Sequence, residues 1–172
     1  MQCLSERHST REYAETPLAP QTLSNLLWAA FGINREDERR TAPSAMNRQE
    51  MDIYVATVEG VFLYEPKTHA LQPVLSGDHR AATGGQDFVG KVAVNLVYVA
   101  DYEKMGDGSE EDKLRYSSAD AGFIAENVYL FCASEGLATV VRGWVDRDAL
   151  AKTLNLRPTQ KIVLAQTVGY PQ

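Results

Sequence analysis

One stretch of twenty residues, SSADAGFIAENVYLFCASEG from Ser117 to Gly136, constrains the fold of this chain more than any other. Ser117 followed by Asp120 has the spacing of a capping box, and Gly136 is the residue type that ends many helices. The polar side chains at Asp120, Asn127 and Ser134 fall seven residues apart, so they form one narrow stripe. The other residues from Ala121 to Ala133 are apolar except Glu126. Because a helix that is apolar on nearly every face is buried, the sequence predicts a long central helix.

Two small residues inside this stretch, Gly122 and Ala125, leave room for another group to come close. The simpler interpretation is a helix in the middle of the core, and composition alone favours it. The alternative is a partner helix or a flat cofactor that packs beside the small residues.

The composition indicates a globular protein. The chain has 172 residues, 44% of them hydrophobic, which predicts a single domain over residues 1–172. No apolar run reaches the length of a membrane-spanning helix. The net charge of −6 argues against nucleic acid or an anionic membrane as the main partner. The two cysteines, Cys3 and Cys132, cannot form a disulfide framework, and we expect Cys132 to be inert packing.

The first residues, MQCLSERHS, lack the basic start and the apolar core of a signal peptide. We therefore expect a cytoplasmic protein, although a leader removed before residue 1 would leave no trace in this sequence.

The segment from Arg7 to Tyr13 (RHSTREY) carries candidate anion-binding groups. Arg7, Ser9 and Arg11 alternate, so in an extended segment their side chains point the same way. Two guanidinium groups and a hydroxyl on one side suit an anion such as phosphate. The alternative is an exposed segment with ordinary solvated charges.

The next segments predict a helix followed by a polar loop. Pro20 suits a first helical position, the apolar residues that follow have amphipathic spacing, and Gly32 ends the helix. The stretch Thr41–Gln49 (TAPSAMNRQ) has no period and several hydrogen-bonding side chains. It is either a plain connector or a functional loop.

Strands and short helices interleave over the rest of the chain. Runs rich in β-forming residues predict five strands, at Ile53–Val58, Val61–Tyr64, Val92–Val99, Leu137–Val141 and Lys161–Val168. The first two predict a hairpin, and the third is apolar enough to be a central strand covered on both faces. The pattern predicts an α+β fold with a mixed sheet, in which parallel and antiparallel pairs both occur.

Three further segments complete this prediction. Asp78–Thr83 indicates a short helix, and Asp146 is a candidate cap for another helix. The acidic stretch Asp101–Lys113, which contains Gly106 and Gly108, predicts a mobile surface loop.

Several common catalytic motifs are absent. The sequence has no G-x-G-x-x-G fingerprint, no Walker loop and no G-x-S-x-G elbow. The three histidines, His8, His69 and His79, match no metal-ligand spacing. Hydrolase and metalloenzyme interpretations therefore lack support.

Five motifs resemble the flavin-dependent nitroreductase family: RHSTREY, APSAMNRQ, DAGFIAENVYLFCASEGL, RGW and the closing VGYP. Each is weak alone, but the five occur in the expected order and span almost the whole chain. Within the family, the chain looks closest to the short branch related to thiazole- and oxazole-forming oxidases. The resemblance implies a sheet flanked by helices, with the long central helix at the interface of a homodimer.

The resemblance also implies FMN, bound tightly but not covalently at the subunit interface. Twelve positions match the family's flavin contacts: Arg7, His8, Ser9, Arg11, Pro43, Ser44, Ala45, Asn47, Gln49, Gln86, Arg142 and Gly143. The first four would hold the phosphate and ribityl chain, and the next five would reach the flavin of the other subunit. Gln86 would face the pyrimidine edge, and the turn at Arg142–Gly143 would bring a backbone N–H to the flavin N5 region.

The sequence departs from the family pattern at its end. Many members have a basic residue beyond the final strand that grips the phosphate, and an extension that embraces the partner subunit. This sequence stops at Gln172, so we expect the phosphate to rely on the N-terminal arginines or on another group.

The resemblance implies an oxidoreductase with a ping-pong mechanism. NAD(P)H would reduce the flavin and leave, and a flat electron-poor acceptor such as a nitroaromatic or quinone would take its place. The alternatives are an FMN-dependent dehydrogenase of a peptide azoline or related ring, and a non-catalytic flavin-binding protein. Because the flavin carries the redox chemistry, no catalytic side chain is expected.

Overall fold

The computed structural model describes residues 1–172, which form four α-helices, six β-strands and three short 3₁₀ turns. The helices are α1 (Gln2–Glu6), α2 (Pro20–Phe31), α3 (Glu110–Glu135) and α4 (Arg147–Thr153). The strands are β1 (Met51–Ala56), β2 (Gly60–Glu65), β3 (Ala70–Ser76), β4 (Val94–Asp101), β5 (Ala138–Arg142) and β6 (Gln160–Gly169). The 3₁₀ turns cover Ala45–Asn47, Arg80–Thr83 and Tyr102–Met105.

The six strands form one sheet in the order β3-β2-β1-β4-β6-β5. The α+β class predicted from the sequence is confirmed, but every hydrogen-bonded pair of neighbours is antiparallel, so the expected mixed pairing was wrong. The reason is the position of β6, which lies between β4 and β5. These two strands both run antiparallel to β6, so no parallel pair comes into contact.

Strand β3 was not predicted from the sequence. It contains Pro73, and a proline within a run argues against a central strand because it cannot donate to the hydrogen-bonded ladder. The structure places β3 at the free edge of the sheet, where a missing donor is tolerated. The five strands predicted from the sequence are all present as β1, β2, β4, β5 and β6, with ends shifted by a few residues.

Helix α3 is the predicted central helix, but its start was predicted wrongly. It begins at Glu110, and Ser109 is its N-cap, whose hydroxyl accepts a hydrogen bond from the Asp112 N–H at 3.1 Å. Ser109 and Asp112 therefore repeat, eight residues earlier, the spacing that Ser117 and Asp120 have. The acids at Glu110 and Asp112 also lie favourably in the first turn, where the helix dipole is positive.

The predicted mobile loop at Asp101–Lys113 is consequently a structured segment. Tyr102 and Met105 of its 3₁₀ turn are buried, and the rest of the segment enters the first turn of α3. The acidic residues that suggested a loop, Glu110 to Asp112, lie in the first turn of α3.

One face of α3 packs in the core, and another is open in the single chain. The buried face carries small and medium apolar side chains, among them Ile124, Val128 and Cys132. On the open face, Tyr116 is 40% exposed and Phe123 is 48% exposed. The prediction that α3 is buried on nearly every face therefore does not hold for one copy of the chain.

Two other helix ends follow the sequence signals. Helix α2 begins at Pro20 and stops at Gly32, as predicted. Asp146 caps α4, because its carboxylate accepts a hydrogen bond from the Ala149 N–H at 3.0 Å. Among the helices, none is both long and apolar enough to cross a membrane.

Candidate functional site

The N-terminal segment after α1 lies along β5 and is fixed by Tyr129 of α3. The Thr10 N–H donates to the Thr139 carbonyl at 2.9 Å, and the hydroxyls of Ser9 and Tyr129 are 2.8 Å apart. The Tyr129 hydroxyl also accepts from the Val141 N–H at 3.0 Å. The Tyr129 hydroxyl can thus donate to Ser9 while it accepts from Val141, and in that arrangement the Ser9 proton is free for a ligand.

The two arginines of this segment have no carboxylate partner. The Arg7 guanidinium lies 5.1 Å from the centroid of the Tyr129 ring, which fixes its position without neutralising its charge. Arg11 is exposed and lines a cavity of about 450 Å³ together with Asp87, Phe88 and other residues. His8, in contrast, is tied back to its own segment, because its Nδ1 lies 2.6 Å from the Glu6 carbonyl oxygen.

Arg142, at the end of β5, points into the protein and is only 4% exposed. Its guanidinium donates to the Thr83 carbonyl at 2.9 Å, to the Asn95 side-chain oxygen at 3.0 Å and to the Thr167 hydroxyl at 2.9 Å. Burial lowers the pKa of Arg142 to about 10, so the group keeps its charge at neutral pH. Arg142 therefore holds the segment after Thr83 against strands β4, β5 and β6.

The same guanidinium decides which residue can follow Thr83. A Cβ atom on Gly84 would lie 1.9 Å from the Arg142 Nη1, and a Cβ on Gly85 would lie 2.8 Å from the Trp144 ring. Gly84 thus requires glycine, because the buried guanidinium cannot move away, whereas the exposed Trp144 ring can shift to admit a Cβ at Gly85. The next residue, Gln86, has a buried side-chain oxygen that accepts no hydrogen bond.

The turn after β5 is held open toward the surface. The Val145 N–H donates to the Gly143 carbonyl at 3.0 Å, and the Gly85 N–H donates to the Trp144 carbonyl at 3.2 Å. No atom would lie within 4 Å of a Cβ at Gly143, and the Trp144 side chain is 68% exposed. The Gly143 backbone is therefore accessible to a flat ligand placed over the turn.

The polar loop at 43–49 is a structured segment with an unusual backbone. Met46, Asn47 and Gln49 have positive φ values of 54°, 53° and 49°. The Ser44 hydroxyl accepts from the Gln49 N–H at 2.9 Å, and the Ala45 N–H donates to Asp120 of α3 at 3.0 Å.

The side-chain amide of Gln49 is fully hydrogen-bonded to neighbouring residues of the same chain. It accepts from the Arg40 Nε at 2.8 Å and donates to the Glu38 carbonyl and the Asn47 side chain, each at 3.1 Å. Pro43 and Asn47 are the exposed members of the predicted site in this loop.

The predicted site residues therefore fall into two groups, which α3 holds apart. The N-terminal segment, Gln86 and the Arg142–Gly143 turn lie together, with Tyr129 beneath the first of them. The 43–49 loop is attached at Asp120, nine residues before Tyr129. Nine helical residues amount to about two and a half turns and about 14 Å of rise, so the two groups lie on opposite faces of α3.

Several residues that shape the first group were not predicted from the sequence. No role was predicted for Tyr129, because its contribution rests on a hydroxyl whose partners are far away in the sequence. Thr83, Asn95 and Thr167 gave no local signal at all. Cys132 is buried, as predicted, and burial raises the pKa of its thiol to about 12.

Comparison with known proteins identifies the family of this chain. The model of the nitroreductase family matches residues 4–170. The chain belongs to the nitroreductase family. The resemblance found in the sequence is thereby confirmed, and membership implies an oxidoreductase.

Two related proteins support this assignment. A curated protein of Methanocaldococcus jannaschii, provisionally named as nitroreductase MJ1384, is 34% identical over 164 residues, which cover 90% of this chain and 83% of the relative. A crystal structure of a provisionally named nitroreductase from Ralstonia eutropha JMP134 is 42% identical, with a TM-score of 0.94. It covers 99% of this chain and 82% of that chain.

A third similarity concerns the fold alone. A chain in the Escherichia coli microcin synthetase McbBCD complex, solved with truncated pro-MccB17 bound, has a TM-score of 0.85 at 23% identity. It covers 97% of this chain and 70% of that chain. This nitroreductase-family chain thus shares its fold with a chain of a microcin synthetase complex.

The hydrogen bonds of Arg142 predict how this region responds to mutation. Replacing Arg142 with Met leaves the Thr83 carbonyl without its buried donor, so the free energy of unfolding should fall by about 1–3 kcal/mol. Urea unfolding followed by circular dichroism measures this change.

Arg115→Met is the matched control, because the Arg115 side chain is 62% exposed and pairs only with acids of its own helix. This variant should change the unfolding free energy by less than about 1 kcal/mol. If Arg142→Met were as stable as the parent, the buried guanidinium would not be what holds the 83–86 segment.

Proposed function

We propose that this protein is an FMN-dependent oxidoreductase that takes hydride from NAD(P)H and reduces a flat electron-poor acceptor, such as a nitroaromatic or quinone. Family membership supports the oxidoreductase class. The observation that carries the proposal is the placement of two features on β5. Unpaired arginines lie on a segment bonded to this strand, and the open Gly143 turn follows its end.

The residues of the first group fit FMN at three points. A phosphate dianion needs cations, and Arg7 and Arg11 are not neutralised by any carboxylate, while Ser9 has a hydroxyl proton to donate. A flavin ring carries an N–H on its pyrimidine edge, and the side-chain oxygen of Gln86 lacks a donor. The exposed backbone at Gly143 can approach the ring where hydride is exchanged.

These residues bind and orient the cofactor rather than react with the substrate. FMN, when bound, supplies the hydride-accepting and hydride-donating chemistry. The chain would hold the phosphate with Arg7, Ser9 and Arg11, and would place the ring edge against Gln86 and the Gly143 N–H. His8 and Arg142 would act through the conformation of their segments, because their side chains already have partners within the chain.

A homodimer would bring the two groups of site residues together. In one chain, the 43–49 loop and the N-terminal segment are anchored on opposite faces of α3, about 14 Å apart along its axis. A second copy packed on the open face of α3 would cover Tyr116 and Phe123 and could present its own loop to the first copy's flavin. Pro43, Ser44, Ala45 and Asn47 would then serve the partner's cofactor.

The acceptor and the nicotinamide would use the same site in turn. No dinucleotide-binding fingerprint occurs that would hold NAD(P)H elsewhere, so the donor must leave before the acceptor enters. Trp144, whose ring is exposed beside Gly143, would form one wall of this shared space.

Two other functions remain as candidates, and activity assays distinguish them from this proposal. The fold similarity to the microcin synthetase chain favours a dehydrogenase of azoline or related rings as the second candidate. A non-catalytic flavin-binding protein would bind FMN but would show no turnover with NADH or NADPH.

The first prediction of this proposal is a yellow dimer. Size-exclusion chromatography with light scattering should give twice the chain mass of 19.0 kDa, and the visible flavin absorbance should elute with that peak. Denaturation should release FMN rather than riboflavin or FAD. A colourless protein that does not bind added FMN in titration calorimetry would refute the cofactor, and a flavin-loaded monomer would refute the dimer.

The second prediction concerns Arg11, whose charge is free in the structure. If Arg11 contacts the phosphate, Arg11→Ala should weaken FMN binding roughly ten- to a hundred-fold, because a charge-assisted hydrogen bond contributes about 1.5–3 kcal/mol. Riboflavin, which lacks the phosphate, should bind the variant and the parent equally in calorimetry.

Arg115→Ala serves as the control for loss of an exposed arginine, and it should change neither affinity. An Arg11→Ala variant that keeps the parental FMN affinity, or that loses riboflavin binding to the same extent, would show that Arg11 is not a phosphate ligand.

A further inference from the structure

The carboxyl group of Glu50 is completely buried and receives no hydrogen bond. Glu50 is 0% exposed, and neither of its side-chain oxygens accepts a hydrogen bond of ordinary geometry, although its own backbone N–H lies close enough to oppose a rise of its pKa. The polar side chain that it contacts is the carboxyl group of Asp120. A buried carboxylate without any donor is strongly unfavourable, whereas a protonated carboxyl can donate to an adjacent carboxylate.

Asp120, the carboxyl group next to Glu50, is also buried and holds the 43–49 loop. It is 2% exposed, and its Oδ2 accepts the Ala45 N–H at 3.0 Å, which is the hydrogen bond that ties the 43–49 loop to α3. A single proton between Glu50 and Asp120 therefore satisfies both buried carboxyl groups and leaves Asp120 able to hold the loop.

We propose that Glu50 and Asp120 share one proton and act as positioning residues that lock the 43–49 loop in its binding conformation. This inference rests on the proposed function, in which that loop serves the partner's flavin. It goes beyond that proposal because neither residue touches the cofactor, and because it makes cofactor binding depend on a proton inside the protein.

The backbone of the loop explains why a lock is needed. Three non-glycine residues, Met46, Asn47 and Gln49, have positive φ values, a backbone conformation that residues with a side chain rarely adopt. Such a conformation persists only where the surroundings determine it. The Ala45–Asp120 hydrogen bond is the contact that fixes this loop to α3.

The lock should open as the pH rises. Desolvation, and secondarily the contact with Asp120, raise the pKa of Glu50 to about 7. The Glu50 backbone N–H, and after it Arg48 of the same loop, oppose this rise. The nearby Asp101 carboxylate of β4 is paired with Arg157. Below about pH 7 the pair keeps its proton, and above it two adjacent buried carboxylates repel each other.

The direction of this pH dependence follows from the linkage between proton binding and folding. A carboxyl group whose folded pKa is raised binds its proton more tightly in the native state than in the unfolded state, so its contribution falls as the pH rises toward 7. Between pH 6 and pH 8 the equilibrium constant for locking the loop should therefore fall about tenfold, because the pair loses its proton near pH 7.

The test compares the parent with Glu50→Gln, because the glutamine amide donates to Asp120 at every pH. Hydrogen exchange of the Ala45 N–H, corrected for intrinsic rates, should speed up about tenfold between pH 6 and pH 8 in the parent and stay constant in the variant. FMN affinity, measured by calorimetry at both pH values, should follow the same pattern. The phosphate of FMN itself titrates in this range, so the comparison is between variants at each pH.

Glu111→Gln is the matched control, since the Glu111 side chain is 84% exposed on the same helix and should keep the parental pH dependence. Asp120→Asn is a second variant, whose amide oxygen can accept from Ala45 and whose amide N–H can donate to ionised Glu50. It should also remove the pH dependence, so the test survives if Glu50→Gln does not fold.

Each outcome decides between the claims. If Ala45 exchange in the parent does not change with pH, or changes equally in Glu50→Gln, the shared proton does not lock the loop. If exchange behaves as proposed but FMN binds at neither pH, the lock stands and the proposed function fails. If FMN binds without the expected difference between parent and variant, the loop does not serve the cofactor.

Discussion

Helix α3 is the element on which the candidate site depends, because it anchors both groups of site residues at different faces. Tyr129 fixes the N-terminal segment through Ser9 and Val141, and Asp120 fixes the 43–49 loop through Ala45. The half-turn offset between these two anchors separates the groups within one chain. The same separation, together with the open apolar face at Tyr116 and Phe123, is why we propose a site completed by a second copy.

Around this helix, buried polar groups determine the local conformation of the site. Arg142 uses its guanidinium to connect strands β4 and β6 with the segment at Thr83, and that packing requires glycine at position 84. The result is an open turn at Gly143 beside a side-chain oxygen of Gln86 that has no donor. This chain of the nitroreductase family thus presents accessible backbone and an unpaired polar group side by side, and this is the place where we propose that the cofactor binds.

Much of the fold was predictable from local sequence signals, and the site's supporting contacts were not. Pro20, Gly32 and Asp146 marked helix ends correctly, because caps depend on neighbouring residues. The start of α3 was predicted wrongly because two serines share the same spacing to an aspartate, and only packing selects between them. Neither the role of Tyr129 nor the contact between Glu50 and Asp120 could be predicted, since their partners are brought together only by the folded chain.

The central claim is that one bound flavin is reduced by a nicotinamide and then reoxidised by a different substrate at the same place. Anaerobic mixing of the flavin-loaded protein with NADH or NADPH should bleach the visible flavin band without any acceptor present. After the nicotinamide is removed, a quinone or nitroaromatic should restore the band, with one acceptor consumed per flavin in a two-electron step. A flavin band that neither nicotinamide bleaches, or one that bleaches only when the acceptor is also present, would contradict the account.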